Sequence, residues 1–186
     1  LLDIPANAQR LAGWMQRLGA GPFDVVTHSQ GGIILRWAAA NHSLPRLRRV
    51  VMIAPPNRGS QMAHLLHQRL GMLFRLIYGS TGLQLRRGSL GLAESAGLPE
   101  GEIGIIAGGM GNPKGFNRFL PGDNDMTVAV EETILRGMKD FVLLRHRHTP
   151  LLWFRETADY TLRFLATGRF RIPALDPKDT LPLDKP

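Results

Sequence analysis

The chain has 186 residues, 44% of them hydrophobic, and carries a formal charge of +8 with no cysteine. That length and apolar content suit one folded domain with a substantial core and exclude disorder as its main state. The missing cysteines exclude a disulfide framework and a thiolate metal site, and leave compartment and redox setting undetermined.

The positive charge raises nucleic-acid binding, but its arginines are scattered, the densest groups being "RLRR" at 46–49 and "LRR" at 85–87. Neither a dense basic block nor basic residues interleaved with aromatics is present, so no nucleic-acid partner is expected. Attraction to acidic lipid headgroups or anionic substrates fits the charge better. No apolar run approaches the roughly 18 residues of a membrane span, and no charged-then-apolar signal sequence opens the chain.

Along the chain, Ala8, Leu11, Ala12, Met15 and Leu18 recur at helical spacing. This predicts a helix capped at Asn7 and stopped by Gly19 and Gly21. Residues 23–27, "FDVVT", read as a short strand and 31–40 as a second helix. Further apolar runs predict strands at 50–54, stopped by Pro55 and Pro56, at 103–107 and at 141–145. Thr149 and Pro150 then read as a helix cap and first helical position, with Phe154, Ala158, Leu162 and Leu165 on one face and Gly168 at the end. Apolar strands alternating with helices predict an α/β domain, a mostly parallel sheet covered on both faces.

Residues 61–100 break the alternation and read either as a lid over a site or as packing at the sheet edge. The tail, 171–186, is rich in Pro and Asp and reads as extended or disordered. The chain does not begin with Met and opens directly on a helix, so it reads as a fragment: a core over 1–170 that lacks its N-terminal strands.

The segment "DVVTHSQGGIIL" sets a serine between an apolar strand and two glycines. A hydroxyl becomes a nucleophile only beside a base, with donors where negative charge develops. A tight strand-to-helix turn, the nucleophile elbow, exposes such a serine. Here Thr27 and Gly31 occupy the positions two before and two after Ser29, where glycine is usual at both. Ser29 would sit at the start of the helix, where the backbone N–H of Gln30 can meet a developing oxyanion. The plainer reading is a helix-capping serine.

An elbow requires an acid and then a histidine later in the chain. "LPGDNDMTVAVEET" supplies Asp125 beyond the third strand, with Asp123 as competitor or turn residue. "LLRHRHTPLLW" supplies His148 beyond the fourth, favoured over His146 because its loop projects further from the sheet. Ser29, Asp125 and His148 all follow carboxyl ends of parallel strands, where catalytic groups gather.

On "VVTHSQGG", "VVMIAPPNRGS", "DNDMTVAVEET" and "HTPLLW", the chain resembles the α/β-hydrolase superfamily, and within it the small bacterial lipases and esterases. The resemblance implies an α/β-hydrolase fold, Ser29 as nucleophile, Asp125 as acid, His148 as base and Gln30 as one oxyanion donor. It also implies that Asn57 and Arg58 fix a structural turn near the site. It implies a second oxyanion donor on a loop after an earlier strand, often His-Gly. Only a helix precedes the elbow strand here, so that donor is missing from this chain. Either residues ahead of Leu1 supply it or the rate falls by about a hundred- to a thousandfold.

The expected activity is hydrolysis of a small-molecule carboxylic ester or lipid with an apolar part, without metal or cofactor, and with peripheral contact to a lipid surface. Acyl transfer, amide hydrolysis or a silent binding module would use the same fold.

Overall fold

The computed structural model describes residues 3–70, 84, 92, 93 and 96–171, with the side chains at 69 and 70 left aside. Four parallel strands lie in chain order: β1 (Phe23–His28), β2 (Leu47–Ile53), β3 (Glu102–Gly108) and β4 (Asp140–Leu144). Five α-helices accompany them among the described residues: α1 (Ile4–Arg17), α2 (Gln30–Asn41), α3 (Gln61–Leu70), α4 (Val130–Thr133) and α5 (Arg155–Thr167). A 3-10 turn over Pro150–Trp153 precedes α5.

The central strands are apolar throughout because both faces are covered. Successive side chains of β2 point to opposite sides. Val50 and Met52 join Ile103, Ile105, Leu35 of α2 and Met15 of α1. Val51 and Ile53 join Ile106, Val142, Leu144, Phe164 of α5 and Phe170. The sheet is thus the middle of three layers. Gly104 makes the α5 layer fit, since a Cβ there would stand 2.7 Å from the rings of Phe164 and Phe170.

Several expected boundaries move for physical reasons. α1 starts at Ile4, not after Asn7: Asp3 is its cap, with Oδ1 accepting the Ala6 N–H at 2.9 Å. Leu18 lies beyond its last turn and is exposed. β2 begins three residues earlier than the apolar run, because Arg48 pairs with Asp24 and Arg49 with Glu102 on neighbouring strands. Those pairs let charged residues join the sheet at its amino end.

The last helix is rotated from its expected face. Thr157, Thr161 and Phe164 are buried, whereas Ala158 and Leu162 are exposed. Slim threonines pack against the sheet, and Phe164 and Phe170 fill the space over Gly104. The stop at Gly168 holds, in the left-handed conformation with its N–H donating to Phe164 O.

Of residues 61–100, α3 opens the segment as a helix, while 71–83, 85–91, 94 and 95 lie outside the described residues. The lid reading therefore falls largely outside them. So does the tail reading, from residue 172 onward.

Candidate active site

The turn between β1 and α2 carries Ser29 at φ 53°, ψ −125°, a left-handed backbone that costs a non-glycine residue about 1–3 kcal/mol. The Ser29 N–H donates to Ile53 O at 2.8 Å, and the turn is further held by the packing of α2. The glycines after it have unequal reasons. At Gly31 a Cβ would meet Thr27 Cβ at 3.6 Å, an ordinary contact, so Thr27 is accommodated at the position where glycine is usual. At Gly32 it would press on Pro55 Cβ at 3.1 Å.

Three non-glycine residues among those described have positive φ: Ser29, Ala54 and Met126. All three follow carboxyl ends of strands or sit in the loop that follows one. Strained backbone of this kind concentrates at functional sites.

The β3-to-α4 loop brings in the carboxylate. Asp125 is fully buried, and its Oδ1 accepts the N–H groups of Thr127 at 2.9 Å and Val128 at 2.7 Å. Its Oδ2 stands 2.6 Å from His148 Nδ1. The backbone repeats the link, the His148 N–H donating to Asp125 O at 2.9 Å. An ionised carboxylate only accepts, which assigns the proton to Nδ1 and leaves Nε2 an acceptor. Nε2 lies 2.9 Å from Ser29 Oγ, so the hydroxyl donates to it. These three side chains therefore form one continuous hydrogen-bonded chain. The N–H of Gln30, first residue of α2, lies ahead of any intrahelical acceptor.

Gly108 makes this junction close. A Cβ there would come within 2.8 Å of His146 O and 2.9 Å of Asp125 Cβ. The two competing residues stand elsewhere. Asp123 accepts N–H groups from Met110 and Gly111, each at 2.7 Å, and from Asn124 at 2.9 Å, clamping the turn after β3. His146 stacks on Phe154 with centroids 3.6 Å apart and faces Glu156 at 3.3 Å.

Two features escape a reading of motifs. His28, directly before Ser29, lies with its ring 4.8 Å from that of His148. Burial, and then the nearby imidazole of His148, push its pKa below the ordinary histidine value. The adjacency "HS" is the only sequence signal of this contact. The second is a buried polar network behind the site. Arg36, a lone charge in the apolar helix "GGIILRWAAA", donates to Gly97 O at 3.0 Å, Ala96 O at 2.5 Å, and Asn57 O at 3.1 Å. Its burial lowers its pKa to about 10.

Asn57 passes the link on by donating to Thr133 O at 2.9 Å. The turn expected to be fixed by Asn57 and Arg58 is thus held by the Asn57 side chain, while Arg58 contributes its backbone N–H to Glu132 O and exposes its side chain. Buried Glu132 accepts from Gln61 N at 2.7 Å and Ala129 N at 2.9 Å, tying the loop of Asp125 to the start of α3.

The parallel sheet, its flanking helices and the turns at its carboxyl end make this an α/β-hydrolase fold. Solved structures similar to this chain include Bacillus licheniformis lipase BlEst2 in mature form, at 19% identity and TM-score 0.69, covering 91% of this chain and 75% of that one. The propeptide form of BlEst2 matches at 21% identity and TM-score 0.62, over 78% of this chain and 37% of that one. The product of gene lin2722 from Listeria innocua matches at 16% identity and TM-score 0.56, over 89% and 68% respectively. No protein-family model matches the sequence, and no curated protein matches it significantly.

Proposed function

We propose that this chain hydrolyses carboxylic esters through an acyl-enzyme on Ser29. One observation carries the reading: the unbroken contact from Asp125 through His148 to Ser29 Oγ, at 2.6 and 2.9 Å. Its placement on a strained strand-to-helix turn, and the lipase named among similar folds, support it.

Ser29 Oγ attacks the ester carbonyl carbon while its proton passes to His148 Nε2. Buried Asp125 orients the ring and stabilises the imidazolium. The negative charge on the former carbonyl oxygen meets the Gln30 N–H and the amino end of α2. Collapse of the tetrahedral intermediate expels the alcohol, which takes the proton from Nε2. Water, deprotonated by His148, then attacks the acyl carbon and frees the carboxylic acid and Ser29.

A fluorophosphonate probe tests the assignment. Labelling of the protein that Ser29→Ala abolishes, with turnover of a soluble short-chain ester, supports it. Failure of the full-length protein to label would favour a binding module on the same fold. Release of an acylated alcohol rather than free acid, when an alcohol acceptor is added, would mark a transferase.

A further inference from the structure

Between β3 and α4 the chain makes a long excursion before it reaches Asp125, and the hydrogen bonds of that excursion converge on one side chain. Asn124 is fully buried. Its Oδ1 accepts the N–H groups of Asn117 at 2.8 Å and Met126 at 3.1 Å, and its Nδ2 donates to the carbonyls of Asn117 at 3.1 Å and Gly122 at 3.0 Å. Two donors on one side of the amide and two carbonyls on the other fix which atom is oxygen and complete its hydrogen bonding. The backbone of Asn124 is engaged as well: its carbonyl accepts from Phe116 N at 3.1 Å, and its N–H donates to Asp123 Oδ1 at 2.9 Å. Gly115 leaves the space for the amide, since a Cβ there would come within 2.1 Å of Nδ2.

Met126 follows Asp125 with φ 87°, a backbone that a side chain disfavours. Both of its polar backbone groups are held by asparagines: the N–H by Asn124 Oδ1, and the carbonyl by Asn117 Nδ2 at 3.1 Å. This residue is the bend that returns the chain over the carboxylate. Just past it, the N–H groups of Thr127 and Val128 reach Asp125 Oδ1 at 2.9 and 2.7 Å, which leaves Oδ2 for His148 Nδ1. A Met126 relaxed to negative φ would swing those two donors away, and the carboxylate would lose the bonds that aim it.

We propose that Asn124, assisted by Asn117, is a positioning residue for the reaction: it clamps Met126 in its strained conformation and thereby aims Asp125 at His148. It acts through the carboxylate, not on the substrate. This rests on the ester-hydrolase reading, in which Asp125 is the acid, and is tested apart from it.

Asn124→Ala is expected to lower kcat for a soluble ester about a hundredfold, the cost of a misplaced catalytic group, and to leave KM within about twofold. Asn117→Ala, which removes the bond to Met126 O and one to Phe119 N, should lower kcat about tenfold. Proton NMR reads the geometry without turnover. In protein carrying Ser29→Ala, the His148 Nδ1 proton sits in a short charge-assisted bond to Asp125 and resonates far downfield, and adding Asn124→Ala should broaden or remove that signal. Strain supplies a test that general damage would not pass. Glycine adopts φ 87° without a Cβ penalty, so in protein already carrying Met126→Gly the kcat loss from Asn124→Ala should shrink severalfold.

Circular dichroism checks that each variant folds; if Asn124→Ala does not, Asn117→Ala takes its place in all three measurements. A folded variant with kcat within threefold of the unmodified protein, an unchanged downfield signal, or an equal loss with and without Met126→Gly would overturn the proposal. Unmodified protein that neither labels with fluorophosphonate nor turns over ester would sink the ester-hydrolase reading alone, because the downfield signal still reports whether Asn124 holds Asp125 to His148.

Discussion

His148 Nε2 accepts the Ser29 hydroxyl at 2.9 Å across 119 residues of chain, while its Nδ1 rests on buried Asp125. The ring is thereby fixed in the tautomer that leaves its outer nitrogen free to take a proton. His146, two residues away, has the same chemistry but lies against Phe154 and Glu156. Ser29→Ala or His148→Gln should lower kcat/KM for a soluble ester by about a hundred-thousandfold or more, and Asp125→Asn by about ten-thousandfold. His146→Gln should leave it within severalfold. Steady-state kinetics on the four variants decide this, and a comparable loss in His146→Gln would refute the assignment.

Strain at Ser29 predicts a trade between activity and stability. Glycine adopts φ 53° without a Cβ penalty, so Ser29→Gly should raise unfolding free energy by about 1 kcal/mol while removing activity. Urea denaturation measures it, and a less stable variant would mean that the turn is not strained.

Gly108→Ala probes how the loops of Asp125 and His148 meet. Its methyl group would collide with Asp125 Cβ and the His146 carbonyl, which are backbone-anchored and have no free end to yield. The expected result is a loss of more than tenfold in kcat with fluorophosphonate labelling slowed in parallel, because displaced Asp125 no longer orients His148. Wild-type kinetics in a folded variant would show that the junction relaxes freely.

Packing over Gly104 predicts a stability effect remote from the site. Gly104→Ala forces apart the rings of Phe164 and Phe170 and should cost about 1–3 kcal/mol. Phe164→Ala empties the same space and should cost about 3–5 kcal/mol. Both should leave KM for a soluble ester near its original value. Thermal unfolding and kinetics on each variant test the separation.

His28 predicts a pH dependence. Its folded pKa lies below the unfolded value of about 6.5, chiefly because burial disfavours the charged ring. The unfolded chain then binds the proton more readily. This contribution to stability is complete above pH 6.5 and is lost as pH falls from there toward the folded pKa. His28→Gln should flatten the fall in stability below pH 6.5. An unchanged slope in chemical denaturation across that range would show that His28 does not titrate as buried.

How much of this was legible in sequence differs between features. The strands announced themselves because a parallel sheet buried on both faces needs unbroken apolar runs, as at 103–107. The start of β2 did not, since Arg48 and Arg49 look like loop residues until Asp24 and Glu102 arrive from other strands. The face of α5 was hidden for a related reason. Thr157 and Thr161 are less apolar than Leu162, yet they share the buried face with Phe164, whose ring packs over Gly104. Thr27 departs from the glycine usual in such a turn, and the structure shows room for it, since even a Cβ added at Gly31 would stand 3.6 Å from Thr27 Cβ.

For the candidate site, local sequence determined the order of a serine, a carboxylate and a histidine, each just past an apolar run. Order along the chain follows from strand and turn chemistry, which act over a few residues. Sequence favours Asp125 and His148, but that this carboxylate holds the imidazole that meets Ser29 is decided by tertiary structure. Asp123 and Asp125, or His146 and His148, differ by two positions and share their chemistry. Only the fold around Gly108 directs one of each pair inward and turns the other onto its own loop.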